Sequence, residues 1–328
     1  MELLGIIILI VSFFTFLAIG VPIAYSIGLS ATLTLLVSIF PMPAFTTMAQ
    51  RISTGLDSFA LLAIPFFVLA GQLMNRGGIA MKLIDFAKVL VGRFPGGLAF
   101  VNILANMLFG AISGSAAASA SAIGTFMTPR MEKEGYDKSY STAVNVTSAT
   151  TGLSIPPSNV LIVYSLAAGG LSIGALFIAG YVPGILTGLA LAAVAAAIAY
   201  RRNYPLAEKV GLKTGLYKFL DAIPSLGMII VVIGGIIAGI FTATEAAAIA
   251  VVYALILSFI YRQITVKDLP QILLRSVIVS TIILLLVGCS IGLSWVMSYQ
   301  NIPQAVSEGL LALSNNKIVI LIIMNLLL

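Results

Sequence analysis

Residues 145–159 read Asn-Val-Thr-Ser-Ala-Thr-Thr-Gly-Leu-Ser-Ile-Pro-Pro-Ser-Asn and lie in a run, residues 139–200, that contains no charged side chain. Two consecutive prolines remove two backbone donors, and the first proline forces the residue before it out of helical geometry. The stretch therefore predicts a helix over residues 139–168 that breaks between Gly152 and Pro157.

A break of this kind changes what the ends of a helix can bind. It leaves free carbonyl groups on the first half and free N–H groups at the start of the second half, where Ser158 and Asn159 stand. Transporters use such half-helices to hold sodium with carbonyl and hydroxyl oxygens and to hold anions at the positive N-terminal end. The alternative is an ordinary proline kink, but the density of Asn, Thr, Ser and Gly around the break favours a binding site.

The composition of the chain places this break inside a lipid bilayer. Of the 328 residues, 60% are hydrophobic and 9% are charged, and the mean hydropathy is +1.13. Soluble domains carry about 25% charged residues, so an ordinary water-soluble domain is excluded. A spanning helix needs roughly 20 apolar residues, which leaves room for about eight or nine membrane segments. The sequence therefore predicts an all-α polytopic membrane protein. The uncharged runs are residues 3–50, 94–129, 139–200, 222–244, 246–261 and 276–307.

Charge and reactive residues narrow the function. The net charge of the chain is +6. In a membrane protein such an excess of basic residues usually lies in the cytoplasmic loops, so nucleic-acid binding is not expected. Histidine is absent and Cys289 is the one cysteine, which excludes Ser-His and Cys-His catalysis, histidine-ligated zinc or haem, and an intrachain disulfide. Because the lysines lie only near predicted membrane edges, no nucleophile–base pair is apparent and no enzyme is expected.

Residues 94–129 predict a re-entrant helical hairpin. Both flanking residues, Arg93 and Arg130, are basic and therefore belong on the same side of the membrane. The run is too short for two complete spans and a turn, which need more than ~40 residues. Its middle is rich in Ser, Gly and Ala, and non-helical backbone at membrane depth is tolerated only inside protein or beside a water-filled cavity. The alternative is that these small residues simply permit close helix packing.

Residues 79–90 predict an amphipathic helix that lies in the membrane interface. Its charged residues recur at helical spacing on the face opposite the apolar stripe. The stripe is Ile79, Leu83, Phe86 and Leu90, and the charged residues are Lys82, Asp85 and Lys88.

A weak internal repeat divides the chain into residues 1–222 and 223–328. Alignment of Met74 with Met297 brings two similar amphipathic stretches together, and the charge pattern makes the two copies enter the membrane in opposite senses. Inverted repeats recur in secondary transporters, with the binding site at the repeat interface. The second copy stops within an apolar run, so we expect it to be incomplete at its C-terminus.

Three ordered motifs stand out along the chain: Gly110-Ala-Ile-Ser-Gly-Ser-Ala-Ala-Ala, Gly152-Leu-Ser-Ile-Pro-Pro-Ser-Asn and Gly239-Ile-Phe-Thr-Ala-Thr-Glu-Ala-Ala-Ala. Together they resemble the large membrane subunit of TRAP (tripartite ATP-independent periplasmic) transporters, and the resemblance covers the whole chain. It implies an elevator-type ion-transporter fold in the bacterial inner membrane. It also implies a small four-helix membrane subunit and a periplasmic substrate-binding protein as partners. Uptake of an organic acid, typically a C4-dicarboxylate, sialic acid or a sugar acid, would be driven by Na+.

Two departures from the family pattern matter. Many members have proline where Ala243 stands, which affects helix geometry more than chemistry. The family's C-terminal part supplies a second hairpin and a second broken helix, so a chain ending at Leu328 is expected to lack half of the ion and substrate site.

The resemblance assigns roles to individual residues, each with a packing role as the alternative. Glu245 is interpreted as a charge at a helix start. The stretch from Asn145 to Tyr164 is associated with the sialic-acid branch of the family.

An ion channel or pore is the alternative function to a transporter. The sodium-binding candidates are Ser113, Gly114, Ser115, Asn145, Gly152, Ser154 and Pro156, and the substrate-binding candidates are Ser119, Ser158 and Asn159.

Overall fold

The computed structural model describes residues 2–205, 211–314 and 316–327. These residues form helices joined by turns, which confirms the predicted all-α fold. In chain order the α-helices are α1 (Glu2–Ala18), α2 (Ile23–Ser38), α3 (Pro41–Leu56), α4 (Ala63–Arg76), α5 (Ile79–Val91), α6 (Gly97–Ser113), α7 (Ala116–Lys133), α8 (Lys138–Ala149), α9 (Thr151–Ser154), α10 (Asn159–Ala167), α11 (Ile173–Arg201), α12 (Leu212–Ile237), α13 (Ala243–Ile260), α14 (Leu269–Tyr299), α15 (Ile302–Leu313) and α16 (Lys317–Leu327).

Length and composition agree with a polytopic membrane protein. Among the described residues, five helical segments are long and apolar enough to cross a membrane. Four shorter apolar helices accompany them. The long segments are Phe59–Arg76, Ile173–Arg201, Lys213–Ile237, Ala243–Ile260 and Val266–Tyr299.

The chain divides into two compact units. The first contains Met1–Ser58 together with Thr281–Leu328, and the second contains Phe59–Ser280. The predicted repeat divides the sequence elsewhere, at residues 222 and 223, and that boundary stays a prediction.

The first unit has its core where α2, α3 and α14 contribute small and medium apolar side chains. Ala31 and Leu35 of α2 pack with Ala44 and Met48 of α3 and with Val296 of α14, and all five are buried. The sequence analysis did not single out α3, which begins within the uncharged run that also contains α2 and extends beyond it through Arg51. The start of α3 is nevertheless predictable, because it begins at Pro41 and proline is favoured in the first turn of a helix.

In the second unit, α13 packs against α4 along most of its length. The Thr244 hydroxyl of α13 donates to the Phe59 carbonyl (2.8 Å), at the short 3-10 helix that precedes α4. A capping box joins Thr242 and Glu245 at the start of α13, where the Glu245 carboxylate accepts from the Thr242 backbone N–H (2.8 Å). The interpretation of Glu245 as a helix-start charge is therefore confirmed.

The amphipathic helix α5 is present as predicted, and its charged face contacts α12. Lys82 pairs with Asp221 of α12, and Lys218 of α12 pairs with Asp85 (2.8 Å). Of the apolar stripe, Leu83 is fully buried and Leu90 is exposed. The location of α5 in the membrane interface stays a prediction.

Stacked tyrosines fix the start of α8. The ring centroids of Tyr136 and Tyr204 lie 4.5 Å apart, and the Tyr140 hydroxyl donates to the Ala195 carbonyl of α11 (3.0 Å). Burial raises the pKa of Tyr136 to about 12, so this phenol stays protonated and keeps donating to the Pro205 carbonyl (3.2 Å). The first half of the broken helix therefore begins from a rigid anchor.

Candidate ion and substrate site

Helices α6 and α7 form the two arms of the predicted hairpin and reverse at its Ser-Gly-Ser tip. Gly114 has a left-handed backbone (φ +59°), which glycine adopts without strain, and its N–H donates to the Gly110 carbonyl (2.9 Å). The Ser115 hydroxyl accepts from the Ala118 N–H (3.3 Å) and caps α7. Local residues thus dictate the reversal, while its re-entry into a bilayer stays a prediction.

The broken helix is interrupted at the double proline, Pro156 and Pro157. Helix α9 ends at Ser154 and α10 begins at Asn159, so the residues between them have no helical backbone. Ser158 stabilises both sides of the gap: its hydroxyl donates to the Leu153 carbonyl and accepts from the Leu161 N–H (3.4 Å). The Ser158 side chain is therefore engaged in capping within the protein.

The hairpin tip and the helix break are in direct contact. The Asn159 N–H donates to the Gly114 carbonyl (3.4 Å), and a Cβ on Gly114 would lie 2.8 Å from the Pro157 carbonyl oxygen. One turn below, a Cβ on Gly110 would lie 2.4 Å from the Gly152 Cα. Only glycine lets these two backbones approach so closely. The structure therefore brings together two of the segments that the sequence marked as ion-binding.

A row of glycines on α11 supports the break from the other side. A Cβ on Gly180 would lie 2.4 Å from the Ser154 carbonyl oxygen, and one on Gly184 would lie 2.5 Å from the Ile155 side chain. Gly188 continues the row against Met107 of α6. The sequence analysis missed these residues, although glycine at every fourth position is a signal of close helix packing.

A buried polar network ties the two hairpin arms to α8. The side-chain nitrogen of Asn106 lies 2.6 Å from the Asn102 amide oxygen, 2.9 Å from the Ser148 hydroxyl and 3.2 Å from the Asn145 amide oxygen. The Ser119 hydroxyl donates to the Asn106 amide oxygen (2.7 Å). All five residues are buried. The network thus connects α6, α7 and α8 through hydrogen bonds between buried polar side chains.

The network includes two predicted ligands and three residues that were not predicted as ligands. Asn145 also donates to the Ala120 carbonyl (2.9 Å), so both ends of its amide are engaged within the protein. Ser119 is engaged in the same way, and the ligand roles of both residues stay predictions. Asn102 and Asn106 carried one signal, an amide at i and i+4 in an otherwise apolar arm.

Asn159 contrasts with this network. It is 6% exposed, and neither its amide nitrogen nor its amide oxygen has a hydrogen-bond partner among the described residues. An unsatisfied buried polar group costs about 1–3 kcal/mol. Because it stands at the first position of α10, beside the hairpin tip, the amide is placed where a ligand could satisfy it.

A cavity of about 350 Å³ lies beside the hairpin tip, between α4, the hairpin and the first turns of α14. Its lining combines apolar residues with six polar ones, of which Arg275 alone is charged. Within the described ranges, no group of three or more His, Cys, Asp or Glu side chains could hold a metal ion. A cation bound at the tip would therefore be held by neutral oxygens. The polar lining residues are Gln72, Asn75, Ser113, Ser115, Ser121 and Arg275.

Comparisons with known proteins agree on one family. A family model described as "Tripartite ATP-independent periplasmic transporter, DctM component" matches residues 10–328. The chain is 58% identical over 323 residues to the uncharacterized protein YgiK of Salmonella typhimurium, covering 98% of this chain and 74% of the relative.

Two further relatives carry functional names. The chain is 39% identical to the C4-dicarboxylate TRAP transporter large permease protein DctM of Rhodobacter capsulatus, covering 94% of this chain and 73% of the relative. It is 35% identical to the sialic acid TRAP transporter large permease protein SiaM of Vibrio cholerae, covering 94% of this chain and 72% of the relative. Since the family model spans nearly the whole chain and these identities extend along it, the chain belongs to the DctM family of TRAP transporter large permeases.

Proposed function

We propose that this chain is the large subunit of a sodium-coupled secondary transporter that imports an organic acid by an elevator mechanism. The observation that carries the proposal is the contact between the hairpin tip and the helix break, where Gly114 meets Pro157 and Asn159. Non-helical backbone at this depth is tolerated where it lines a binding site. Two facing loops of this kind offer carbonyl and hydroxyl oxygens to one small ion.

The residues present fit a sodium site. Sodium is a hard cation that suits oxygen ligands, and the two loops supply hydroxyl groups and backbone carbonyls without a carboxylate nearby. The bound ion would supply positive charge next to the α10 N-terminus and so attract an anion to the same place. The residues that would hold it are Ser113, Gly114 and Ser115 on the tip and Gly152, Ser154 and Pro156 at the break, with Asn145 behind them.

The α10 N-terminus suits the acid group of the substrate. Backbone N–H groups at a helix start bind carboxylates, and the unsatisfied amide of Asn159 can both donate and accept a hydrogen bond. A carboxylate accepts from the amide nitrogen, and a substrate hydroxyl donates to its oxygen. Dicarboxylates and sialic acid both carry the required carboxylate, so both belong among the substrates to test.

The elevator step requires that the hairpin and the broken helix move as one body. Three connections join them: the contact between Gly110 and Gly152, the polar network centred on Asn106, and the glycine row of α11. The elevator proposal also includes a small four-helix membrane subunit, a periplasmic substrate-binding protein and a location in the bacterial inner membrane. Family membership supports the two partners.

Uptake into proteoliposomes tests the proposal. The complete permease, its small subunit and its binding protein are reconstituted and offered succinate, sialic acid and isethionate in separate assays. We expect uptake of at least one acid that requires an inward sodium gradient and stops when potassium replaces sodium. Uptake indifferent to sodium would contradict the coupling. A sodium current without substrate and without a binding protein would favour the channel alternative.

A further inference from the structure

The cavity beside the hairpin tip contains a charge that the proposed sodium site does not use. Arg275 is the one charged residue between Leu269 and Tyr299, the whole length of α14. It stands about two turns inside a helix that is long and apolar enough to span a membrane. Ionisable side chains inside membrane segments are costly, and they commonly mark a functional site.

Arg275 is also unengaged. Its guanidinium makes no hydrogen bond or ion pair with the described part of the chain. Neighbouring cations in the same unit do have partners: Arg76 donates to the Gln271 amide oxygen (2.9 Å), and Lys82 and Lys218 each pair with an aspartate. Arg275 therefore differs from these three cations in having its donors available.

The cavity around Arg275 has the chemistry of an anion site. Among its lining residues Arg275 alone is charged, and amides and hydroxyls supply the other polar groups. Gln72 and Asn75 come from α4, and Ser115 and Ser121 come from the hairpin. A guanidinium binds a carboxylate through two parallel N–H donors, while neighbouring amides and hydroxyls can bind the remaining oxygens. The volume of about 350 Å³ falls within the range of small-ligand sites.

We propose that Arg275 binds a carboxylate of the transported acid in this cavity and so sets the selectivity for anions. This inference rests on the proposed function, because it assumes an acid substrate that reaches the hairpin tip. C4-dicarboxylates and sialic acid, named for the two relatives, share a carboxylate although their sizes and hydroxyl contents differ. A single arginine, with amides and hydroxyls beside it in a partly apolar cavity, recognises the group that these acids share.

A substitution series measures the effect on affinity. In the uptake assay, Arg275→Gln is expected to raise the KM for succinate and for sialic acid at least tenfold. Arg275→Lys should give an intermediate KM, since lysine keeps the charge without the two-donor fork. Lys267→Gln, an exposed cation on the segment before α14, is the matched control and should leave KM unchanged. A KM for Arg275→Gln equal to that of the unsubstituted permease would overturn the inference while leaving sodium-driven uptake intact.

A labelling experiment keeps the inference testable if Arg275→Gln fails to fold or if no acid is transported. Ser121→Cys places a thiol on the exposed part of the cavity lining, and the unsubstituted chain, whose Cys289 is buried, gives the background. We expect succinate to protect Ser121→Cys from a hydrophilic maleimide, with protection independent of anionic lipid content. Absence of protection, or protection by anionic lipid in place of succinate, would overturn the inference.

Discussion

Two polar regions of this protein use buried amides in opposite ways. Around Asn106, every buried polar side chain has a hydrogen-bond partner. Around Asn159, the amide is equally buried but has no partner among the described residues. Because orphaned polar groups are expensive, the difference indicates two purposes. We expect the satisfied amides to hold the helices together and the unsatisfied amide to bind a ligand.

The largest expected effect comes from separating the two regions where their backbones touch. In Gly152→Ala the new Cβ would lie 2.7 Å from the Gly110 Cα, and neither backbone can yield without moving a helix. We expect loss of sodium-driven uptake and destabilisation of about 1–3 kcal/mol, as in other overpacked cores. Uptake and thermal unfolding of the purified permease measure both.

Gly309→Ala is the matched control, since a Cβ there meets no atom within 4 Å. It should leave uptake unchanged and the melting temperature unchanged or slightly higher, because alanine is favoured over glycine inside a helix. Normal uptake by Gly152→Ala would show that the contact between hairpin and broken helix does not matter for transport.

Disrupting the hydrogen-bonded network around Asn106 should mainly lower the stability of the protein. Asn106→Leu removes a hydrogen-bond partner from Asn102, Asn145, Ser119 and Ser148 at once. Ser119 and Ser148 keep hydrogen bonds to backbone carbonyls, whereas a buried amide oxygen left without its partner costs about 1–3 kcal/mol. We expect a clear fall in melting temperature, measured by tryptophan fluorescence or calorimetry. Thr125→Val, on an exposed face of α7, removes only an intrahelical hydrogen bond and serves as the control. A melting temperature unchanged by Asn106→Leu would mean that the network stabilises nothing.

Substitution of Asn159, whose amide has no partner among the described residues, should instead lower substrate affinity without lowering stability. Asn159→Leu replaces an orphaned amide by an apolar side chain of similar volume, so stability should be unchanged or higher. A lost hydrogen bond to a charged group is worth about 1.5–3 kcal/mol, and substrate affinity should fall at least tenfold. Uptake as a function of acid concentration separates this loss of affinity from a loss of folded protein. Lower stability with unchanged KM would reverse the assignment.

The smallest effect is expected from Ser119→Ala, which tests whether Ser119 belongs to the network around Asn106 or to the substrate site. Ser119 was predicted to contact substrate, yet its hydroxyl donates to Asn106 within the network. Ser119→Ala is therefore expected to cost about 1 kcal/mol of stability and to leave KM unchanged. A raised KM in a fully stable variant would return Ser119 to the substrate site.

What the sequence could predict follows from the range over which each signal acts. The break at Pro156 and Pro157 and the reversal at Gly114 are dictated by the residues at those positions, so their locations were predictable. The network was not, because Asn106 and Ser148 are brought together only by the packing of α6 against α8.

The same reasoning explains the charged face of α5. Periodicity predicted an amphipathic helix, and the helix is present, but periodicity cannot show what covers a face. Asp221 and Lys218 of α12 cover it in the folded chain. The unsatisfied amide of Asn159 lies between these cases: its position was predictable, whereas its lack of a partner required the structure.

Sodium-dependent thermal stabilisation of the complete permease tests most directly whether the tip and the break bind an ion together. Ligand binding to the folded state raises the melting temperature with ligand concentration. We expect sodium chloride, but not potassium or choline chloride at the same ionic strength, to raise the melting temperature of the unsubstituted protein. Gly114→Ala, which strains the tip against Pro157, should abolish that increase. Equal stabilisation by all three salts, or a sodium effect that survives Gly114→Ala, would contradict a sodium site between these two loops.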